Sequence, residues 1–187
     1  PLRGQSLESR LAAQPSVGRT RVALSGPRMS DTVLRIIPSH HQLVPPEHLH
    51  KPALRLLEAV VGDSEDPEVR VYPQLEYIDA GENEEGATCP ACRVAFKFDY
   101  FREDDPYADW FRDVVHETEG GAEGYRTTMP CCGTEVLFPD VLFEASGFAR
   151  FEVQVSNPDT DYPLSEQAMG QLEALLGCQL RQVWAHY

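Results

Sequence analysis

The stretch GFARFEVQVSNP, residues 147–158, decides the fold because apolar and polar side chains alternate along it. The alternation sets three apolar side chains against three polar ones, namely Phe151, Val153 and Val155 against Glu152, Gln154 and Ser156. A period of two residues is typical of a β-strand with one face in the core and the other face in water. The stretch therefore predicts a half-buried strand, whose apolar face has to be covered by other elements.

A helix and a second strand are predicted to follow this strand. The segment PLSEQAMGQLEALLG, residues 163–177, has Ser165 as a candidate N-cap and Gly177 as a candidate C-cap. Its apolar residues recur at helical spacing, and they are Ala168, Leu172, Leu175 and Leu176. The closing segment QLRQVWAHY, residues 179–187, is short, apolar and aromatic, so it is predicted to be a strand.

The same order of elements occurs earlier in the chain. The run VLRIIP, residues 33–38, predicts a buried strand. The segment PPEHLHKPALRLLEAVVG, residues 45–62, predicts an amphipathic helix that ends at Gly62, with an apolar face of Leu49, Ala53, Leu56, Leu57, Val60 and Val61. The segment EVRVYPQLEYID, residues 68–79, predicts another strand, and Pro73 restricts that strand to a sheet edge or a bulge.

Two strand-helix-strand units that flank a separate middle section predict an α+β fold. We expect a ferredoxin-like two-layer sandwich of two βαβ halves, with an inserted zinc-ribbon-like subdomain at about residues 80–147. In that sandwich the second strand lies at an edge of the sheet, which suits the position of Pro73. The insertion has its own predicted helix, with Asp105 as N-cap and Pro106 as the first helical residue.

The first 28 residues differ in charge from the rest of the chain. They contain five arginines and one glutamate, and a plausible native start, MSDTV, follows at Met29. We interpret residues 1–28 as a disordered leader or upstream segment, with an arginine-rich transit peptide as the alternative. Residues 29–187 are expected to form one globular domain that carries the insertion.

Four of the five cysteines lie in two short turns of the predicted insertion. The first turn is TCPACR, residues 88–93, and the second lies in TTMPCCGTEV, residues 127–136. A strand-like run follows each turn, RVAFKF after the first and TEVLF after the second. Two such turns can share one tetrahedral ion, so we predict a zinc site whose ligands are Cys89, Cys92, Cys131 and Cys132.

The second turn departs from the usual pair of cysteines separated by two residues. Met129 occupies the place of the first cysteine, and Cys131 is adjacent to Cys132. Adjacent residues reach one ion only through a tight turn, so Cys132 is the safer ligand, and Cys131, His116 or no residue completes the site. Packed thiols without metal and a redox pair are the alternatives. A redox pair normally opens a helix, whereas RVAFKF predicts a strand.

The number of thiolates decides between a structural and a catalytic ion. Four thiolates close the coordination shell, and such sites are structural, so we predict structural Zn²⁺. An open site with three cysteines and a bound water would instead suit a zinc-dependent hydrolase, with Glu135 or Asp109 as the base. The fifth cysteine, Cys178, stands apart in LLGCQL and is predicted to be inert core sulfur.

Several short motifs resemble those of a family of small uncharacterised bacterial cytoplasmic proteins. They are IIP (36–38), IDAGEN (78–83), CPAC (89–92), PCCG (130–133), GFARF (147–151), NP (157–158) and the closing LLGCQLRQVWAHY. The resemblance covers most of residues 33–187, and its most specific part is the ordered set CPxC, PCCG and GFARF. It implies that PCCG is the family form of the second turn, and that Cys131 or Cys132 binds metal with Cys89 and Cys92.

Charge narrows the classes of function. The first 28 residues hold five of the 16 basic and one of the 30 acidic residues, which leaves 11 basic and 29 acidic residues, a net charge of −18. Such a charge opposes binding to nucleic acid and favours a basic protein partner. The sequence lacks a membrane span, and clustered thiols suit a reducing cytoplasm. We therefore predict a non-enzymatic cytoplasmic binding protein, such as an immunity or adaptor protein.

Overall fold

The computed structural model describes residues 31–99, 102, 104–160 and 162–187, so the leader expected at residues 1–28 lies outside the described part. The described elements, in chain order, are β1 (Thr32–Pro38), α1 (His50–Val61), β2 (Glu65–Ile78), β3 (Gly86–Thr88), β4 (Ala95–Lys97), α2 (Pro106–Glu117), β5 (Arg126–Thr128), β6 (Glu135–Leu137), β7 (Leu142–Phe143), β8 (Gly147–Ser156), α3 (Glu166–Leu176) and β9 (Leu180–His186). Antiparallel sheets and three helices in this part of the chain confirm the predicted α+β class. None of these helices is long and apolar enough to cross a membrane.

The main sheet contains the four strands of the two predicted halves. Its order is β2-β8-β1-β9, and all neighbouring strands are antiparallel. β2 is an edge strand, as Pro73 predicted. α1 and α3 cover one face, and they share an apolar core with the sheet that includes Leu34, Ile36, Leu57, Phe151, Val153, Leu172 and Trp184. The apolar side chains of β8 therefore face the helices, as its period-two pattern predicted.

The opposite face of β8 is more buried than the sequence pattern predicted. Glu152 and Gln154, expected in water, are only 1% and 6% exposed. Tyr72 donates a hydrogen bond to the Glu152 carboxylate at 2.8 Å, and the guanidinium groups of Arg35 and Arg70 lie 3.8 and 3.5 Å from it. Burial raises the pKa of Glu152. Long side chains of the neighbouring strands cover this carboxylate, and a pattern within one strand cannot reveal such cover.

The helix ends follow their predicted caps. Ser165 accepts a hydrogen bond from the backbone N–H of Ala168 at the start of α3, and Asp105 accepts from the backbone N–H groups of Tyr107 and Ala108 at the start of α2. Gly177 ends α3 in the left-handed conformation, with φ of 71°. These short-range signals are local hydrogen bonds and backbone conformations, which explains why the sequence alone located them.

The section between β2 and β8 has two small sheets and a core of its own. One sheet has the order β4-β3-β7, and the other pairs β5 with β6. Their apolar side chains pack with α2 around a cluster that includes Phe96, Phe98, Phe111, Phe138 and Phe143. Leu75 of β2 and Phe148 of β8 belong to the same cluster, so this section is packed against the ends of those two strands.

Candidate metal centre

Two hairpins carry the four clustered cysteines, and their turns have the same backbone hydrogen bonds. We call residues 89–93, between β3 and β4, the first knuckle, and residues 129–133, between β5 and β6, the second knuckle. In the first knuckle, Cys89 accepts at its carbonyl from the N–H of Arg93 at 3.0 Å. In the second, Met129 accepts from the N–H of Gly133 at 2.8 Å. Position by position, Met129 thus corresponds to Cys89, and Gly133 to Arg93.

The fifth position of each knuckle has a left-handed backbone. Arg93 has φ of 63° and Gly133 has φ of 69°. This conformation turns the chain sharply enough for the strand after each knuckle to pair with the strand before it. Glycine adopts it without strain, whereas a residue with a Cβ adopts it at a cost of about 1 kcal/mol.

The four sulfur atoms of Cys89, Cys92, Cys131 and Cys132 converge within 4.8 Å of one another. Cys89 Sγ lies 3.8 Å from Cys132 Sγ, and Cys92 Sγ lies 3.5 Å from Cys131 Sγ. A tetrahedral zinc site with Zn–S bonds of about 2.3 Å has sulfur atoms about 3.8 Å apart. A disulfide would need about 2.05 Å. The arrangement therefore fits a tetrahedral metal ion, and the structure brings the whole predicted ligand set together.

The fourth sulfur comes from the third position of the second knuckle. Met129 is fully buried in the aromatic core, where its thioether occupies the place that Cys89 occupies in the first knuckle. Cys131 approaches Cys92 instead, and Cys132 approaches Cys89. The tight turn that two adjacent ligands require is therefore present in the second knuckle.

Burial and hydrogen bonding make the four thiols unequal. Cys89 is buried, Cys131 is half-buried, and Cys92 and Cys132 are exposed. Hydrogen bonds from Thr134 lower the pKa of Cys132 to about 7, and burial together with the neighbouring thiols raises the pKa of Cys131 to about 12. Four thiolates cannot crowd together without a compensating charge, and a divalent cation supplies that charge. Thr134 was not anticipated, because its contact with sulfur depends on the fold of the knuckle.

The other candidate ligands and bases lie outside this cluster. His116, at the end of α2, is 81% exposed at its side chain and lies 3.3 Å from the Glu119 carboxylate. Glu135 accepts from Arg126 at 2.6 Å, and Asp109 is paired with Arg112. Among the described residues, the four cysteines form the group with metal-ligand geometry. Cys178 is separate from them and packs against the core under α1 and α3.

The fold and the site together define an α+β protein with a four-cysteine centre whose geometry suits a metal ion. No family model, no curated protein and no solved structure matches the chain.

Proposed function

We propose that the centre holds structural Zn²⁺ and that the protein is a non-enzymatic, acidic binding protein for a basic protein partner. The observation that carries the metal part of the proposal is the convergence of four sulfur atoms within 4.8 Å. Four thiolates complete a tetrahedral shell, which leaves no position for the water that a catalytic zinc ion activates. Thiolate ligands select zinc over magnesium or calcium, which prefer oxygen.

The topology supports a zinc-ribbon-like insertion in a ferredoxin-like sandwich. The strand order β2-β8-β1-β9, with α1 and α3 packed on one face, is the order that two interleaved βαβ halves produce. In each knuckle a short hairpin presents sulfur, and α2 lies between the two hairpins in sequence. Zinc would tie these distant hairpins together, and its binding free energy would add to the stability of the folded state.

Metal analysis of the purified protein tests the structural role. We expect one zinc per chain in protein purified without chelator, and its loss in Cys89→Ser together with a lower melting temperature. Cys178→Ser is the matched control, because Cys178 is a free cysteine outside the cluster, and it should keep the metal. Absence of metal from the unaltered protein would overturn this part of the proposal.

Charge supports the binding role. Residues 29–187 carry an excess of 18 acidic residues, from 29 acidic and 11 basic side chains. An acidic surface attracts a basic protein from a distance, which speeds association and discriminates against acidic proteins. An immunity or adaptor protein that covers a basic domain is the type of function that this charge suits best.

An array of immobilised peptides tests the binding role. The labelled protein is applied to basic, neutral and acidic sequences of matched length, at low and at high salt. We expect retention by basic sequences that falls as salt rises, because salt screens exposed charges. Retention that depends neither on the charge of the peptide nor on the salt concentration would contradict the proposal.

A further inference from the structure

The strand β9 forms one edge of the main sheet. Among the described residues, the outer side of its backbone has no neighbouring strand apart from a single parallel bridge between His186 and Gly81. Asp31 and Tyr187 exchange both backbone hydrogen bonds, at 3.0 and 2.9 Å. In antiparallel pairing such pairs alternate, so the next one toward the centre of the strands is Val33 with Ala185. Along β9, every second residue belongs to such a pair. The residues that alternate with them, including Gln182 and Trp184, therefore direct their backbone N–H and C=O groups away from β1.

At both ends of this outer edge, outward-facing backbone groups already have hydrogen-bond partners. The backbone of His186 bonds to Ala80 and Glu82, and the Trp184 carbonyl accepts from the side chain of Asn83 at 2.8 Å. At the other end, the Leu180 N–H donates to the Glu173 carboxylate at 2.9 Å. A gap remains in the middle. The described residues offer no partner to the N–H or C=O of Gln182, or to the N–H of Trp184.

The other edge of the sheet is protected, which makes the gap in β9 distinctive. β2 carries Pro67 and Pro73, which lack an N–H, and two register shifts interrupt its pairing with β8. Prolines and bulges prevent a further strand from adding to an edge. β9 contains no proline, and its pairing with β1 runs without a shift from Thr32 to Pro38. An open edge of this kind can accept an extended peptide.

A cleft of about 1270 Å³ includes this part of the edge. Gln182, Trp184 and His186 line it, together with five exposed carboxylates. They are Glu85, Glu144 and Asp159, and also Asp63 and Glu65 at the start of β2, on the opposite edge of the sheet. No lysine or arginine is found among its described lining residues, although Lys97 pairs with Glu144 from outside. The ring of Tyr162, which is 71% exposed, packs edge-on against Trp184 with centroids 5.4 Å apart. An exposed aromatic ring among carboxylates suits a cationic side chain.

We propose that an extended segment of a partner protein, rich in lysine or arginine, adds to β9 as a fifth strand within this cleft. The inference rests on the proposed function and assigns its surface. Backbone hydrogen bonds to Gln182 and Trp184 fix the register of the segment, and the carboxylates select its charge. A second copy of the chain is the rival occupant, and the acidic residues on both copies would repel each other there.

Peptide binding measured by fluorescence anisotropy tests the inference with the full chain. The probe is the labelled peptide Lys-Val-Lys-Val-Lys-Val-Lys-Val. A second peptide has the same sequence with backbone N-methyl groups on alternate residues, which keeps the charge and blocks strand pairing. We expect N-methylation to weaken binding by about tenfold, the effect of one or two lost hydrogen bonds.

Substitution of Gln182 tests the same contact from the side of the protein. Gln182→Pro removes the outward N–H without removing a hydrogen bond to β1, and proline is tolerated on this side of an edge strand. The matched control is Gln182→Ala, since both variants lose the side-chain bonds to Leu164 and Trp184. Binding of the unmethylated peptide should be about tenfold weaker to Gln182→Pro than to Gln182→Ala.

Charge is tested separately. The triple variant Asp63→Asn, Glu85→Gln, Asp159→Asn should bind the peptide more weakly and with less dependence on salt. Its control neutralises three exposed acids away from the cleft, with Glu47→Gln, Asp113→Asn and Glu123→Gln, and should bind as the unaltered protein does.

The outcomes separate this inference from the function on which it rests. If the charge variant weakens binding while N-methylation and Gln182→Pro do not, the basic partner stands and the added strand is overturned. If this peptide fails but other basic sequences bind on the array, the inference alone is overturned. If no basic sequence binds in either experiment, the proposed function falls as well. A dimer of the unaltered protein that Gln182→Pro abolishes would assign the edge to a second copy and overturn the inference.

Discussion

The two knuckles have one backbone design and two different ways of presenting sulfur. Each turn closes with the same hydrogen bond between its first and fifth residues, at 3.0 Å in the first and 2.8 Å in the second. The first knuckle presents sulfur from positions one and four, Cys89 and Cys92. The second presents it from positions three and four, Cys131 and Cys132. The convergence of the sulfur atoms, and not the spacing of cysteines in sequence, therefore defines the site.

Position one explains how the difference is tolerated. Cys89 and Met129 are both fully buried in the aromatic cluster of the section between β2 and β8. In the first knuckle that place holds a candidate ligand, and in the second it holds a flexible apolar side chain that fills the core. The second knuckle thus contributes packing at position one and sulfur at position three. Variants of the two knuckles can test whether these contributions are separable.

The largest effect is expected from Cys89→Ser, which places a hydroxyl in the core and removes a ligand. We predict that the free energy of unfolding falls by about 4 kcal/mol or more, the range typical of a lost structural metal. The measurement is urea unfolding followed by the fluorescence of Trp110, in a Trp184→Phe background. The ring of Trp110 packs against the aromatic cluster between β2 and β8. Cys178→Ser in the same background should lose much less. Equal losses of unfolding free energy in both variants would show that the four-cysteine centre does not stabilise the protein.

The next effect concerns the shifted ligand. Cys131→Ala should lower the zinc affinity by a large factor, because three thiolates leave the shell open. The double variant Met129→Cys, Cys131→Ala restores two cysteines separated by two residues and should recover one zinc per chain. It should remain less stable than the original by about 1–3 kcal/mol, since a smaller side chain replaces Met129 in the core. Elemental analysis and competition with a chromogenic chelator measure the recovery.

Failure of the double variant to recover zinc would break the correspondence between Met129 and Cys89. Full zinc affinity in Cys131→Ala alone would show that Cys131 is not a ligand. Either result would change the comparison of the knuckles. Cys178→Ser should keep one zinc per chain, which would show that removing any thiol does not by itself release the metal.

The sequence predicted those features that are local. The caps Ser165 and Asp105, the proline that restricts β2, and the spacing of the cysteines within each turn are short-range signals. Two features that depend on distant strands were not predicted. Burial of Glu152 needs side chains from β1 and β2, and the open edge of β9 needs the order of the whole sheet. The sequence did name Cys131 as a ligand, with His116 or no residue as alternatives, and the folded turn favours Cys131 because it brings its sulfur to Cys92.

A smaller effect is expected at position five of the second knuckle. Gly133 has φ of 69°, and a Cβ added there would meet no atom within 4 Å. Gly133→Ala should therefore destabilise the protein by about 1 kcal/mol, because a backbone strain of about 1–2 kcal/mol outweighs the roughly 0.5–1 kcal/mol gained when alanine restricts the unfolded chain. Chemical unfolding measures the loss, and Gly170→Ala is a control, since Gly170 lies inside α3 with equally open space around it. That control should be neutral or stabilising, because alanine is the better helix former. An unchanged stability in Gly133→Ala would mean that the turn can relax.

The smallest effect is expected from the reciprocal change, Arg93→Gly, which makes position five the same in both knuckles. Arg93 has φ of 63°, so glycine relieves a strain of about 1 kcal/mol. Glycine also gains freedom in the unfolded chain, which opposes the relief by about 0.5–1 kcal/mol. The two terms nearly cancel, so the free energy of unfolding should change by less than about 1 kcal/mol, and the zinc stoichiometry should not change. Arg93→Asn should behave alike, since asparagine also tolerates this conformation. If both variants instead lost zinc, the side chain of Arg93 would be stabilising the thiolates by its charge, and the first knuckle would differ from the second in electrostatics as well as in ligand position.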